Sequence, residues 1–180
     1  MPGTFTIYDS AFPSKQADVS TPARRAAVHL ENSIRNDALE TGAFIARDGS
    51  VVVQKTGAPN HVRFNRHELS GTNGTLFTHN HPKDETFSRE DIIAAIESQL
   101  VELRAVGPML RHIMQAPGGW PSLTAFDRAI KGAVTIAQQR TTAQINAGNL
   151  DARDAHREVC HQMWREVSNS LSLRYEREKS

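Results

Sequence analysis

Residues 42–53 read Gly-Ala-Phe-Ile-Ala-Arg-Asp-Gly-Ser-Val-Val-Val, and this stretch decides the fold of the 180-residue chain. Two apolar runs flank the pair Asp48-Gly49. Such a pair favours a β-hairpin, because glycine readily adopts the positive φ that tight hairpin turns require. The segment therefore predicts two antiparallel strands joined by a short turn.

Helical and extended patterns follow one another on both sides of this hairpin. Before it, Ser20-Thr21-Pro22 is typical of a helix start, and apolar residues at helical spacing predict a helix over 21–39. After it, we expect strands at 61–64 and 75–79, a helix from Ser88 to about 107, a strand at 109–116, helices at 122–147 and 151–170, and a strand at 171–176. This order predicts an α/β protein with a mixed β-sheet flanked by helices.

The length and the breaks in the pattern predict one main domain with two additions. A chain of 180 residues has about the size of a single domain. The run Pro117-Gly-Gly-Trp-Pro121 is a clear break. We therefore expect an irregular N-terminal arm at 1–19, a main domain at 20–117 and a C-terminal helical extension at 118–180 that packs on it.

Composition excludes several classes of function. The 21 Lys and Arg nearly balance the 20 Asp and Glu, which argues against a protein that mainly grips nucleic acid. The first 15 residues lack the features of a signal peptide, and no apolar run approaches the ~18 residues of a membrane span. These features predict a cytoplasmic protein without a nucleic-acid or membrane partner, and they indicate no oligomeric state. Cys160 is the only cysteine, so any metal must be held by histidines and carboxylates.

Two short motifs contain the residues suited to metal chemistry. His79-Asn80-His81-Pro82 ends the buried strand, and Ser88-Arg-Glu-Asp91 begins the next helix. Histidines two positions apart on a strand point to the same face, and Asp91 in the first helical turn can return to that point. Three protein ligands and an open position are typical of catalytic zinc. Glu40, before the first strand, is the best base for amide hydrolysis.

The order of these residues resembles a known family. The JAMM signature of the JAB1/MPN/Mov34 metalloenzymes is matched within about residues 22–116 by three segments, Glu40-x-Gly42, His79-x-His81-Pro82 and Ser88-x-x-Asp91. The resemblance implies a cytidine-deaminase-like JAB/MPN sandwich. It also implies a zinc-dependent peptidase or isopeptidase that acts on a protein or peptide, such as a ubiquitin-like tail.

The same resemblance implies a role for each residue. His79, His81 and Asp91 would bind Zn²⁺, Glu40 would hold and deprotonate the water, and Ser88 would help to stabilise the oxyanion. Six residues separate His81 from Ser88, where the family usually has seven, so the connecting loop is one residue short.

Other interpretations of these residues stay open. The fold also suits a non-enzymatic MPN-type interaction domain, and weaker likenesses suggest a toxin-type or effector-type JAB module of a phage or mobile element. Two histidines and a carboxylate are also the ligands of non-haem iron oxygenases. Ser88-x-x-Asp91 is close to a helix capping box. Lys83-Asp84-Glu85 is expected to be the solvated tip of a loop, and Glu40 alone is compatible with an ordinary solvated acid.

Overall fold

The computed structural model describes residues 15–180, so most of the predicted N-terminal arm, residues 1–14, lies outside the described residues. Residues 15–19 contain no helix or strand. The elements are α1 (Pro22–Ile34), β1 (Thr41–Ile45), β2 (Val51–Thr56), β3 (Leu76–Asn80), α2 (Arg89–Glu97), β4 (Glu102–Val106), β5 (Leu110–Gln115), α3 (Leu123–Asn146), α4 (Ala155–Leu171) and β6 (Arg174–Lys179), with a 3₁₀ turn at Ala152–Asp154 before α4.

The six strands form one mixed sheet in the order β2-β1-β3-β4-β5-β6. Strands β3 and β4 are parallel, and the other neighbouring pairs are antiparallel. The predicted α/β class with a mixed sheet flanked by helices is confirmed. Within residues 15–180, no helix has the length and apolar character that a membrane-spanning helix needs.

The hairpin forms as predicted. Strands β1 and β2 pair antiparallel, and the turn between them places Gly49 at a φ of 90°. The amide of Ala46 donates to the carbonyl of Ser50 at 2.8 Å. Glycine is needed at position 49 because a side chain there would be strained at positive φ.

The sheet separates two hydrophobic cores. On one face, α1 packs against β1 and β3 through a small core of Ala23, Ala27, Ala43, Ile45 and Leu76. The other face is covered by a larger core that includes Phe44, Phe77, Ile92, Leu103, Met114, Phe126 and Trp164. Neighbouring residues of a strand contribute to opposite cores, because side chains alternate between the two faces of a sheet.

Two predicted elements around the hairpin are wrong. Helix α1 ends at Ile34 instead of residue 39, and residues 35–40 form a link to β1. The segment 61–64 is not a strand. Only an isolated bridge joins Ala58 and His61, and the side chains of Val62 and Phe64 pack against the larger core without strand pairing of their backbone.

The predicted helix from Ser88 to about 107 is also wrong, because it merges α2 with β4. Gln99 adopts a φ of 44°, and the amide of Leu100 turns back to the carbonyl of Ala95 at 3.0 Å. A residue with positive φ, followed by an amide that bonds to a carbonyl of the last helical turn, typically ends a helix. The residue at this position is usually glycine. The chain then forms β4, where Leu103 faces the larger core.

The C-terminal segment contributes to the main sheet as well as to its cover. Helices α3 and α4 pack against each other, and β6 then pairs antiparallel with β5 from Gln115↔Arg174 to Leu110↔Lys179. The final strand therefore begins three residues later than the predicted 171–176. It forms one edge of the six-stranded sheet.

Candidate metal centre

Three buried side chains meet at one point, which we call the triad: His79, His81 and Asp91. The two Nε2 atoms of His79 and His81 lie 2.8 Å apart. Asp91 places Oδ1 3.0 Å from Nε2 of His79 and Oδ2 3.7 Å from Nε2 of His81. Two imidazole nitrogens and a carboxylate oxygen form a donor set that suits a divalent metal ion. The triad can therefore hold a metal.

The end of β3 and the start of α2 bring the triad together. His79 lies in β3 and His81 directly follows its last residue, so the extended chain turns both side chains to the same face. Asp91 occupies the third position of α2, where its Oδ2 accepts from the amide of Ser88 at 2.7 Å and its amide donates to Oγ of Ser88 at 3.2 Å. Ser88 and Asp91 therefore form a capping box, and this box holds in place the carboxylate that faces His79.

A loop contact sets the orientation of His81. Its Nδ1 lies 3.0 Å from the carbonyl oxygen of Glu85. A carbonyl can only accept, so Nδ1 carries the proton and a neutral ring leaves Nε2 as the lone-pair donor. Such outer contacts orient metal-binding histidines in many proteins.

The loop that contains Glu85 is anchored by Asp84. This carboxylate is buried and accepts from the amides of Met109 and Leu110, each at 3.1 Å. Its second oxygen lies 3.4 Å from Nε of Arg157. The prediction that Lys83-Asp84-Glu85 is only a solvated tip is therefore wrong for Asp84. The sequence gives no sign that Asp84 is buried, because it lies in a polar run and its partners are backbone amides far away in the chain.

Electrostatics in the triad favour an ionised carboxylate on Asp91 and a neutral ring on His81. Burial opposes the protonation of His79, but attraction by Asp91 outweighs it and raises the pKa of His79. Burial opposes ionisation of Asp91, but the attraction of His79 and His81 and the bonds from His79 and Ser88 outweigh it and lower its pKa. Burial, followed by repulsion from His79, lowers the pKa of His81. An ionised Asp91 and a neutral His81 are the forms that bind a metal.

Glu40 lies in the same cavity as the triad but is not one of its members. Its backbone is held beyond the end of β2, where its amide donates to Ala58 at 2.9 Å and its carbonyl accepts from Gly57 at 2.8 Å. Burial raises the pKa of the Glu40 carboxyl, the charge on His79 lowers it, and the negative charge of Asp91 raises it further, with a net upward direction. The expectation of an ordinary solvated acid does not fit this buried group.

The cavity has a volume of about 830 Å³ and reaches beyond the metal-binding atoms. Ser88 is exposed on its wall, so its hydroxyl can face a bound molecule while Oγ also caps α2. Phe64 and Ile93 add apolar surface, and Cys160 lines the side formed by α4. All five residues predicted for the site therefore line one space: Glu40, His79, His81, Ser88 and Asp91.

Comparison with known proteins identifies no relative of the chain. The chain has no match among protein-family models, none among curated proteins and none among solved structures. The function must therefore be argued from the site itself.

One residue near the site, Asn80, is given no role by the sequence motifs. Asn80 stands between the two histidines, is completely buried, and bonds to the backbone on both sides of Glu40. Strand alternation predicts that its side chain points away from the histidines. Its partners became visible only in the folded structure.

Proposed function

We propose that the protein is a zinc-dependent hydrolase of peptide or isopeptide bonds, of the JAMM type. The observation that supports this most directly is the placement of Glu40, a buried carboxylate in the cavity of the triad but outside the ligand set. A structural metal site needs no such group, whereas hydrolysis requires a base. The order of the motifs supports the same conclusion.

In this proposal His79, His81 and Asp91 hold the zinc. When bound, zinc polarises a carbonyl group and lowers the pKa of a water to about 7. Glu40 accepts a proton from the attacking water as the oxygen adds to the amide carbon. It returns that proton to the nitrogen when the C–N bond breaks, so one carboxylate acts first as base and then as acid. The Ser88 hydroxyl donates to the carbonyl oxygen as negative charge develops there.

The proposed substrate is a protein or peptide, with a ubiquitin-like tail as one candidate. A cavity of about 830 Å³ has room for several residues of extended chain. The cytoplasmic setting and a phage or mobile-element context remain predictions from the sequence.

The test is a comparison of Glu40→Gln with wild type. Glutamine keeps the shape of the side chain and can still hydrogen-bond, but it cannot accept the proton. We expect stoichiometric zinc in both proteins and a rate of amide cleavage at least ~10²–10⁴-fold lower in the variant. Cleavage is measured as new N-termini in a lysate digest, and then on the best peptide found.

Glu90→Gln is the matched control, because it makes the same substitution at an exposed residue of the same cavity. It should retain the wild-type rate. Full activity of Glu40→Gln would contradict the proposal, and so would loss of zinc from it. Stoichiometric iron in the wild type would favour an oxygenase, and a protein that binds no metal would favour an interaction domain.

A further inference from the structure

Asn80 makes three side-chain hydrogen bonds, two to the link between α1 and β1 and one to the first residue of β1. Its Oδ1 accepts from the amide of Thr41 at 2.6 Å. Its Nδ2 donates to the carbonyl of Leu39 at 3.1 Å and to that of Asp37 at 3.3 Å. Thr41 and Leu39 flank Glu40 in the sequence, so one side-chain amide holds the backbone on both sides of the proposed base.

These bonds lie where strands β1 and β3 separate. The backbone pairing of the two strands ends at Gly42↔His79. Beyond this point, the amide of His81 donates to the carbonyl of Val106, the last residue of β4, and the backbone of Glu40 pairs beyond β2 instead. Glu40 and His81 thus stand on either side of a gap in the sheet.

The Asn80 amide spans this gap. It accepts from one peptide group and donates to others, as a backbone peptide does within a sheet. Asn80 is completely buried, and so is its bond to the Thr41 amide, so this bond is hard for water to replace. The strand that positions His79 and His81 is therefore tied directly to the segment that positions Glu40.

We propose that Asn80 is a positioning residue, which sets the distance of the Glu40 carboxylate from the triad. The role rests on the proposed function of Glu40 as the base, but the contact itself does not. A displacement of about 1 Å in a reacting group can lower a rate by ~10²-fold. Loss of the Asn80 amide should therefore slow the chemistry while the triad stays intact.

The first test is Asn80→Ala in the full chain. We expect faster hydrogen exchange at the Thr41 amide, kcat lower by about 10²-fold and KM close to wild type. Zinc affinity should change by less than the ~10-fold that disturbing an outer contact of a ligand usually costs. Asn80→Ser serves the same purpose if the alanine variant does not fold, because serine keeps a polar group without the reach of the amide.

Thr78→Val is the matched control. Thr78 is also fully buried, lies two positions earlier on β3, and donates to Oε1 of Glu31 at 2.7 Å. Its loss should lower stability without affecting exchange at Thr41 or kcat. If Thr78→Val slowed the reaction as much as Asn80→Ala, the role of Asn80 would be general support of the strand, and the proposal would be overturned.

Combining Asn80→Ala with Glu40→Gln distinguishes a role of Asn80 in positioning Glu40 from general support of the strand. If Asn80 acts through Glu40, then Asn80→Ala lowers the rate in wild type and has no further effect once Glu40 cannot act as base. Equal losses in both backgrounds would overturn the proposal. Full activity of Asn80→Ala, with Glu40→Gln inactive, would reject the positioning role alone. Full activity of Glu40→Gln would instead reject the proposed function, and exchange at Thr41 would still report whether the contact exists.

Discussion

Two buried polar clusters lie on opposite faces of the same sheet. One is the triad. The other, which we call the charge cluster, consists of Glu31 from α1, Arg104 from β4 and Arg111 from β5. Oε1 of Glu31 accepts from Nε of Arg104 at 2.6 Å, and Oε2 accepts from Nε of Arg111 at 2.7 Å. All three side chains are at most 3% exposed.

The difference between the clusters lies in their partners. In the charge cluster each carboxylate oxygen faces a guanidinium, so opposite charges meet within the protein. In the triad, two imidazole nitrogens and a carboxylate all face one another, and each is of a type that can bind a cation. Burial alone therefore does not distinguish a structural cluster from a functional one. The chemistry of the facing atoms does.

The largest expected effect comes from breaking the charge cluster. Arg104→Met should lower the free energy of unfolding by about 3–5 kcal/mol, because it leaves the buried Glu31 carboxylate with one guanidinium fewer. Urea denaturation of the metal-free protein measures this change. Zinc affinity of the folded variant should stay close to wild type.

Arg89→Met is the control for that experiment. Arg89 forms an exposed ion pair with Asp127, and exposed pairs contribute little to stability. If both variants were equally stable, the buried charge cluster would contribute no more to stability than an exposed ion pair. If Arg104→Met lost zinc while folded, the two clusters would not be independent.

The next effect comes from breaking the triad. His81→Ala removes one of three ligands, and zinc affinity should fall by more than ~100-fold, since even outer-shell changes cost 10–100-fold. Competition with a chromogenic chelator measures it. Zinc should raise the melting temperature of wild type and not of the variant, because a ligand stabilises only the state that binds it.

His67→Ala is the matched change at an exposed histidine outside the triad. It should bind zinc as wild type does. His81→Ala purified with full zinc occupancy would show that the triad is not the metal centre.

The smallest expected effect is a dependence of the free energy of unfolding on pH, which comes from the charge cluster. Burial opposes ionisation of Glu31, but attraction by Arg104 and Arg111 outweighs it and lowers its pKa. The unfolded chain then takes up a proton at higher pH than the folded one. The stability from Glu31 is therefore present above its ordinary pKa of 4.5 and is lost as pH falls below it.

Urea denaturation of metal-free protein between pH 7 and pH 3 checks this dependence. The decline below pH 4.5 should be shallower in Arg104→Met, because Glu31 has lost part of the attraction that lowers its pKa. Parallel curves for the two proteins would show that Arg104 does not hold Glu31 ionised.

The elements that were predicted correctly have local causes. The Asp48-Gly49 turn and the Thr21-Pro22 helix start depend on residues next to each other in the chain. The two histidines share a face because strand geometry requires it. In contrast, the residue with positive φ that follows α2 is Gln99 and not a glycine, so the sequence predicts α2 and β4 as one helix. The burial of Asp84 depends on amides 25 and 26 residues away.

The sequence by itself determined the α/β class, the hairpin and the identity of the residues that can bind a metal, because each of these follows from local pattern and side-chain chemistry. Only the tertiary structure decided that Glu40 shares a cavity with the triad, that Asn80 ties the two segments together and that Glu31 lies between two arginines. These relations join residues 39 to 80 positions apart. They arise when strands and helices pack, and no local rule of the chain specifies them.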